Sequence, residues 1–288
     1  MSVVENTFCL LLVCPDRKGI VAAVANFLAD HDASIIEAKQ FNDHLTKRFY
    51  MRAVFTAVGP NFVAIEKLRT QFAELAKTYD MTWQLEDAAK RVRVLIAVSK
   101  LDHCLQDLLF RWRSGVLPVD IVGVVSNHPD LRSLVEWHQI PFHHLPVTNE
   151  TRPQQEAQIL ELISRHQVDL LVLARYMQIL SDDLSRKLSG RCINIHHSFL
   201  PSFKGARPYH QAYERGVKII GATAHYVTAD LDEGPIIEQA VERVGHEHTP
   251  ERFVEIGRDL EAIVLARAVR WHAERRILLD GQRSVILS

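Results

Sequence analysis

The sequence has no apolar stretch long enough to cross a bilayer. Its longest runs, such as Val92 to Val98 and Leu170 to Ala174, fall far short of the roughly 20 residues that a helical span needs. It also lacks an excess of positive charge: 34 Lys plus Arg stand against 35 Asp plus Glu, a net charge of -1. Binding to a phosphate backbone normally demands a basic surplus, so a nucleic-acid partner is not expected. The cysteines are few. Cys9, Cys14, Cys104 and Cys192 form no CxxC pair, which argues against a disulfide framework and against a thiolate zinc site. The amino-terminal stretch has neither a basic segment nor a small-residue cleavage site, so a cytoplasmic chain with no membrane partner is expected. What is abundant is histidine, with 15 copies in 288 residues. The length predicts about two ordinary globular domains.

The first segment reads as strand, helix, strand, strand, helix, strand. It opens with the apolar run Phe8 to Cys14 and the turn Pro15-Asp16-Arg17-Lys18-Gly19. Ile20, Val24, Phe27 and Leu28 share a helical face, and Ile65, Leu68, Phe72, Leu75 and Tyr79 share another. Ser34 to Phe41 and Arg48 to Val58 flank a hairpin turn, and Met81 to Leu85 closes the unit. After the polar stretch Glu86 to Arg91 the pattern changes to unbroken apolar strands separated by longer helices. That alternation predicts βαβ units in a doubly wound, mostly parallel sheet. The expected organisation is an α/β chain with a ferredoxin-like α+β domain over residues 1–86 and a parallel-sheet domain over 91–288. A final helix is expected with Thr249 as its cap and Pro250 at its first position.

In doubly wound sheets ligands sit at the carboxyl ends of strands, and two strand-to-loop segments are rich in chemistry. In Arg191 to Gly205 strand alternation turns Asn194 and His196 to one side, placing an amide donor and an imidazole together before a Pro- and Gly-containing loop. In Gly221 to Pro235 it turns Thr223 and His225 to one face, followed by an acidic loop with Asp230, Asp232 and Glu233. An isolated strand histidine is more often a structural hydrogen-bonding group, and an acidic turn is usually only a solvated loop. From spacing alone a catalytic and a structural role stay equally open.

The motifs INIHHSFLPSFKGARPYHQA and GATAHYVTADLDEGPIIEQ closely resemble the folate-dependent formyltransferase superfamily, and within it the formyltetrahydrofolate deformylases. The PDRKGIV turn of the first segment resembles an ACT domain, so the resemblance covers nearly the whole chain. It implies hydrolysis of 10-formyltetrahydrofolate to tetrahydrofolate and formate, with Asn194, His196 and Asp232 as catalytic residues. Thr223 and His225 would support that trio. The same resemblance implies that the segment Met177, Gln178, Ile179 and Leu180, together with Asp230, holds the folate. It places an amino-acid effector of the ACT-like domain at Asp16, Lys18, Gly19 and Ile20. It further implies a homo-oligomer, and a role in formate supply for purine synthesis. No cofactor is called for, and no metal. Neither His196-His197 nor His246-Glu247-His248 matches a zinc-ligand spacing, and adjacent strand histidines are not expected to point inward together.

Two other readings compete. A formyltransferase to a small phosphorylated acceptor resembles this chain but carries a glycine-rich turn after its first strand, where Val98 to Asp107 here has none. A tRNA-directed transferase would carry a further carboxyl-terminal domain. A non-catalytic folate or amino-acid sensor would not need Asn194, His196 and Asp232 together.

Overall fold

A computed structural model describes residues 6–200 and 208–287. By its internal contacts the chain divides into two units. One takes the chain up to Arg91 together with the segment from Glu274 onward, and the other is Val92–Ala273.

The first unit runs β1 (Thr7–Pro15), α1 (Ile20–Asp30), β2 (Ala33–Asp43), β3 (Arg48–Ala57), α2 (Ile65–Thr78) and β4 (Thr82–Asp87). Its strands form an antiparallel sheet in the order β2-β3-β1-β4. Alternation along β1 sends Phe8, Leu10, Leu12 and Cys14 into a core with Val24 and Leu28 of α1 and Leu68 and Phe72 of α2. Gly19 opens α1 at φ 95°, a left-handed conformation that glycine adopts without steric cost.

The second unit runs β5 (Val92–Val98), α3 (His103–Arg113), β6 (Val119–Ser126), α4 (Arg132–Trp137), β7 (Phe142–His144), α5 (Arg152–Arg165), β8 (Leu170–Leu173), α6 (Asp182–Lys187), β9 (Cys192–His196), α7 (Pro208–Glu214), β10 (Ile219–Tyr226), β11 (Ile236–Arg243) and α8 (Pro250–Ala273). Its seven strands lie in the order β11-β10-β9-β8-β5-β6-β7. The pairs from β9 to β7 are parallel, and β10 and β11 are antiparallel. The buried apolar runs of β5 and β8 fit strands covered on both faces. The carboxyl ends of β5, β8 and β9 therefore share one edge. The Thr249 hydroxyl accepts from Arg252 N at 3.3 Å, the cap expected for α8. Among the described residues no helix is long and apolar enough to cross a membrane.

The second domain, expected over 91–288, ends at Ala273, and the segment from Glu274 belongs to the first unit. There β12 (Ile277–Asp280) and β13 (Arg283–Ile286) form a hairpin whose Leu278 and Val285 pack, with Leu287, on Cys9, Leu11 and Val13. Those three residues are the other face of β1, so β1 is apolar without interruption because both of its faces are covered. Polar contacts fix the hairpin. Tyr50 donates to Asp280 at 2.6 Å, and Arg52, only 7% exposed, donates to Glu37 at 2.7 Å and to the carbonyls of Arg275 and Glu274 at 3.0 and 3.1 Å. Arg52→Leu should leave those carbonyls unsatisfied and lower stability by about 2 kcal/mol. Urea unfolding measures the loss, and limited proteolysis should show earlier cleavage around residues 274–276.

Candidate active site

Antiparallel pairing of β9 with β10 sets Thr223 opposite His196 and His225 opposite Asn194. The two pairs singled out by alternation thus meet across one ladder. The loop after β10 then returns Asp232 to them. Its carboxylate lies 3.3 Å from His196 Nδ1 and 3.6 Å from His225 Nε2, and Asn194 Nδ2 lies 3.3 Å from His225 Nε2. His225 Nδ1 faces the Tyr226 carbonyl at 2.9 Å; a carbonyl can only accept, so Nδ1 carries the hydrogen and Nε2 is left for Asn194 and Asp232. One amide hydrogen of Asn194 engages His225, and its second remains for a ligand. His196 Nε2 contacts the Ser198 hydroxyl at 2.9 Å.

The loop is held in place by its own backbone. Asp232 sits at φ 58°, in the left-handed region that aspartate tolerates better than most side chains. A Cβ on Gly234 would come within 1.8 Å of the Tyr226 carbonyl oxygen, so glycine is needed for the loop to fold back against β10. Burial disfavours the charge on Asp232, but His196, whose Nδ1 faces the carboxylate, and the neighbouring His225 imidazole outweigh it and hold the carboxyl below the ordinary carboxylate range. The Thr223 hydroxyl supports the trio through Ser198, the partner of His196. It donates to Ser198 O at 3.0 Å and accepts from Leu200 N at 3.1 Å and Gln239 Nε2 at 3.0 Å, which ties down the chain as it leaves β9. The motif continues from Pro201 to Arg207, outside the described residues.

These groups line a cavity of about 690 Å³, a volume suited to a small organic ligand. Met177, Gln178, Ile179 and Leu180 line it too, and Met177 and Ile179 are 54% and 58% exposed, apolar surface left open beside the trio. Their segment is pinned at both ends by residues the sequence did not single out. Ser99, at the end of β5, accepts from Met177 N at 3.0 Å, and the buried Glu156 of α5 accepts from Ser181 N at 2.7 Å and from the Ser181 hydroxyl. Asp230 lies outside the cavity lining. Its carbonyl accepts from Thr228 Oγ1 and Glu233 N, which makes it the exposed corner of the turn whose inner side presents Asp232.

Two further arrangements were not legible in the sequence. His196 and His197 both line the cavity, their rings stacked at 5.2 Å and 27°. The strand ends at His196, so alternation no longer applies to the next residue. The second is a buried cluster around Glu261 of α8. Its carboxylate meets His103 Nε2 at 2.7 Å, the Tyr209 hydroxyl at 2.8 Å and Arg175 Nε at 3.3 Å. Among the described residues, His103, Cys104 and Glu261 bring ligand-type atoms within 4.8 Å of one another. The Arg175 cation already lies against this carboxylate, and burial pushes the Cys104 thiol far up, so the donor set does not suit a cation. Burial likewise raises Cys192, which leaves no thiolate beside Asn194.

The formyl transferase family model matches residues 92–269 and the ACT domain model residues 10–72. A formyltetrahydrofolate deformylase of Corynebacterium sp. (strain P-1) is 54% identical over 279 residues, 96% of this chain and 97% of that one. The chain belongs to the formyltetrahydrofolate deformylase family. As a member of that family it is a hydrolase. The deformylase of Bacillus subtilis (strain 168) is 49% identical, covering 97% of this chain and 93% of its own. The crystal structure of the deformylase from Burkholderia mallei superposes with a TM-score of 0.92 at 52% identity, covering 99% of this chain and 100% of that one. Glycinamide ribonucleotide transformylase 1 from Symbiobacterium toebii is a more distant relative, at TM-score 0.65, 30% identity, 71% of this chain and 97% of its own.

His197 in the cavity titrates below the ordinary imidazole range. Burial first, then the charges of Arg175 and His196, lower the pKa of His197 from 6.5 to about 4. Between those values the folded chain keeps His197 neutral while the unfolded chain takes up a proton, so stability is lost as the pH falls through that window. His197→Gln should flatten that part of the curve, as read from urea midpoints at pH 7 and at pH 5.

Proposed function

We propose that the chain hydrolyses 10-formyltetrahydrofolate to tetrahydrofolate and formate, with Asn194, His196 and Asp232 carrying the reaction. Water forms a bond to the formyl carbon, negative charge builds on the formyl oxygen, and the carbon–nitrogen bond breaks as N10 takes its electron pair and a proton. The free amide hydrogen of Asn194 meets the oxyanion, an interaction whose loss costs about 3 kcal/mol in comparable acyl-transfer sites. His196, with Nδ1 directed at Asp232, has Nε2 for proton exchange with the leaving nitrogen. Asp232 orients the imidazole and the water. A carboxylate held so firmly ionised is a weak proton acceptor, so its main contribution is a fixed negative charge facing the imidazole that exchanges the proton. The reading uses these side chains alone, without a metal or cofactor.

The observation that carries the reading is convergence: Asn194 and His196 from β9 and Asp232 from the loop after β10 meet on one wall of the cavity. The open apolar surface of Met177 and Ile179 suits the flat ring of a folate, with Gln178 and Leu180 beside them. In the same reading the enzyme works in the cytoplasm as a homo-oligomer, binds an amino-acid effector through its ACT domain and supplies formate for purine synthesis. The first turn of α1 supports the effector site at Asp16, Lys18, Gly19 and Ile20. It has no side-chain cap and no acidic residue, which leaves its N–H groups for a carboxylate.

The test is formate release from 10-formyltetrahydrofolate by chelator-treated protein, with and without glycinamide ribonucleotide. Release without acceptor or metal is expected. Transfer only when the nucleotide is present would make the chain a transferase, and no reaction would favour a sensor. Asn194→Ala and Asp232→Ala should each lower turnover at least about a hundredfold with the circular dichroism spectrum unchanged.

A further inference from the structure

The cavity lies between two separately packed groups. On one side Leu180 and Val227 pack with the core of Leu173 and Tyr176, and the exposed Met177 and Ile179 extend that apolar wall. On the other side Val254 packs with Tyr209, Phe253 and Ile256. The first wall suits a flat apolar ring, which leaves the second for the nucleophile that attacks the formyl carbon beside His196.

That second side is lined by a row of polar side chains. The His197 ring stacks on His196 and stands 6.5 Å from Tyr209 at 60°. The Tyr209 hydroxyl donates to Glu261, which is 1% exposed and also meets His103 and Arg175. The line is built at a cost. A Cβ on Gly257 would lie 2.1 Å from the Tyr209 ring, so α8 carries a glycine, worth about 1 kcal/mol less than alanine in a helix, where that ring rests. Arg175 sits at φ 63°, strained for a non-glycine residue. The charged and titratable groups around His197 are Arg175, His196, Glu261 and Asp232, and burial first, then the Arg175 charge, favours its neutral ring, able to accept a hydrogen bond from water.

We propose that His197, braced by Tyr209, Glu261 and His103, determines the acceptor: it fills the nucleophile side of the cavity so that water reaches the formyl carbon and an amine does not. This rests on the hydrolase reading above and adds a specificity-determining residue to it. Related folds can carry a formyl group to an amine, as the name of the Symbiobacterium toebii relative states. Here the turn after β5 has no glycine, and His103, the first residue of α3, joins the polar row on this side.

The experiment offers wild type, His197→Ala and His197→Gln 10-formyltetrahydrofolate with glycinamide as a small amine, and separates formate from formylglycinamide. Wild type should give formate alone. His197→Ala should raise the ratio of formylated amine to formate about tenfold or more, the discrimination a steric pocket supplies. The KM for the folate should change less than about twofold, because the apolar wall is untouched. His197→Gln, which keeps bulk and polarity, should keep the wild-type ratio. The proposal is overturned if His197→Ala turns over with an unchanged ratio or if His197→Gln shifts it equally. It is also overturned if both variants lose turnover together, which would put His197 in the chemistry. Absence of formate from wild type would instead remove the hydrolase reading itself.

Discussion

A single carboxylate between two imidazoles organises the catalytic end of this molecule. Asp232 can lie within ion-pair distance of both His196 and His225 only because β10 runs antiparallel to β9, which sets the two histidines on neighbouring strands. It stays ionised in a half-buried site because the imidazoles outweigh the penalty of burial. The positive φ of Asp232 and the close passage of Gly234 against Tyr226 belong to the same constraint, since the loop must turn sharply to bring an acidic side chain back onto the sheet. A local rule of backbone preference is broken where the site needs it.

The remaining walls follow from the sheet. Strands β5 and β8 end on one edge, so a serine at the end of the first can hold the backbone of the loop that leaves the second. Glu156 holds the far end of that loop, and Thr223 holds the chain as it departs β9. Each anchor is a buried side chain, and a loop fixed at both ends can leave apolar side chains such as Met177 and Ile179 facing solvent without collapsing onto them. Rigid supports below and open apolar surface above are what a binding cavity requires.

What the sequence disclosed tracks the range of the interactions involved. Asn194 with His196 and Thr223 with His225 were legible because two-residue alternation is a local property of a strand. That Thr223 reaches the trio only through Ser198, whose carbonyl it holds and whose hydroxyl meets His196, depends on what lies across the ladder, which no local pattern encodes. Alternation also misled at His197, because the strand stops one residue before it. The carboxyl-terminal hairpin left one trace: β1 is apolar from Phe8 to Cys14, more than a sheet with one open face requires, and that surplus marks a second covering layer. Glu261 left none, since a glutamate on a long helix reads as solvated surface unless its three partners, distant in sequence, are known.

The burial of Glu261 separates stability from function. A charged cluster in a packed interior is often no more stabilising than well-packed apolar residues of the same volume, because desolvation consumes the Coulomb gain. Here the cluster also carries a helix glycine under Tyr209 and a strained arginine backbone. Stability alone gives no reason for three unfavourable features in one place. They are accounted for together if their product is position: a polar wall, fixed by bonds of 2.7 and 2.8 Å, beside which His197 stacks on His196 in the cavity. An apolar wall of equal volume could pack as well. It would not hold a tyrosine hydroxyl and two histidine rings in one orientation, and orientation is what decides which nucleophile reaches the formyl carbon.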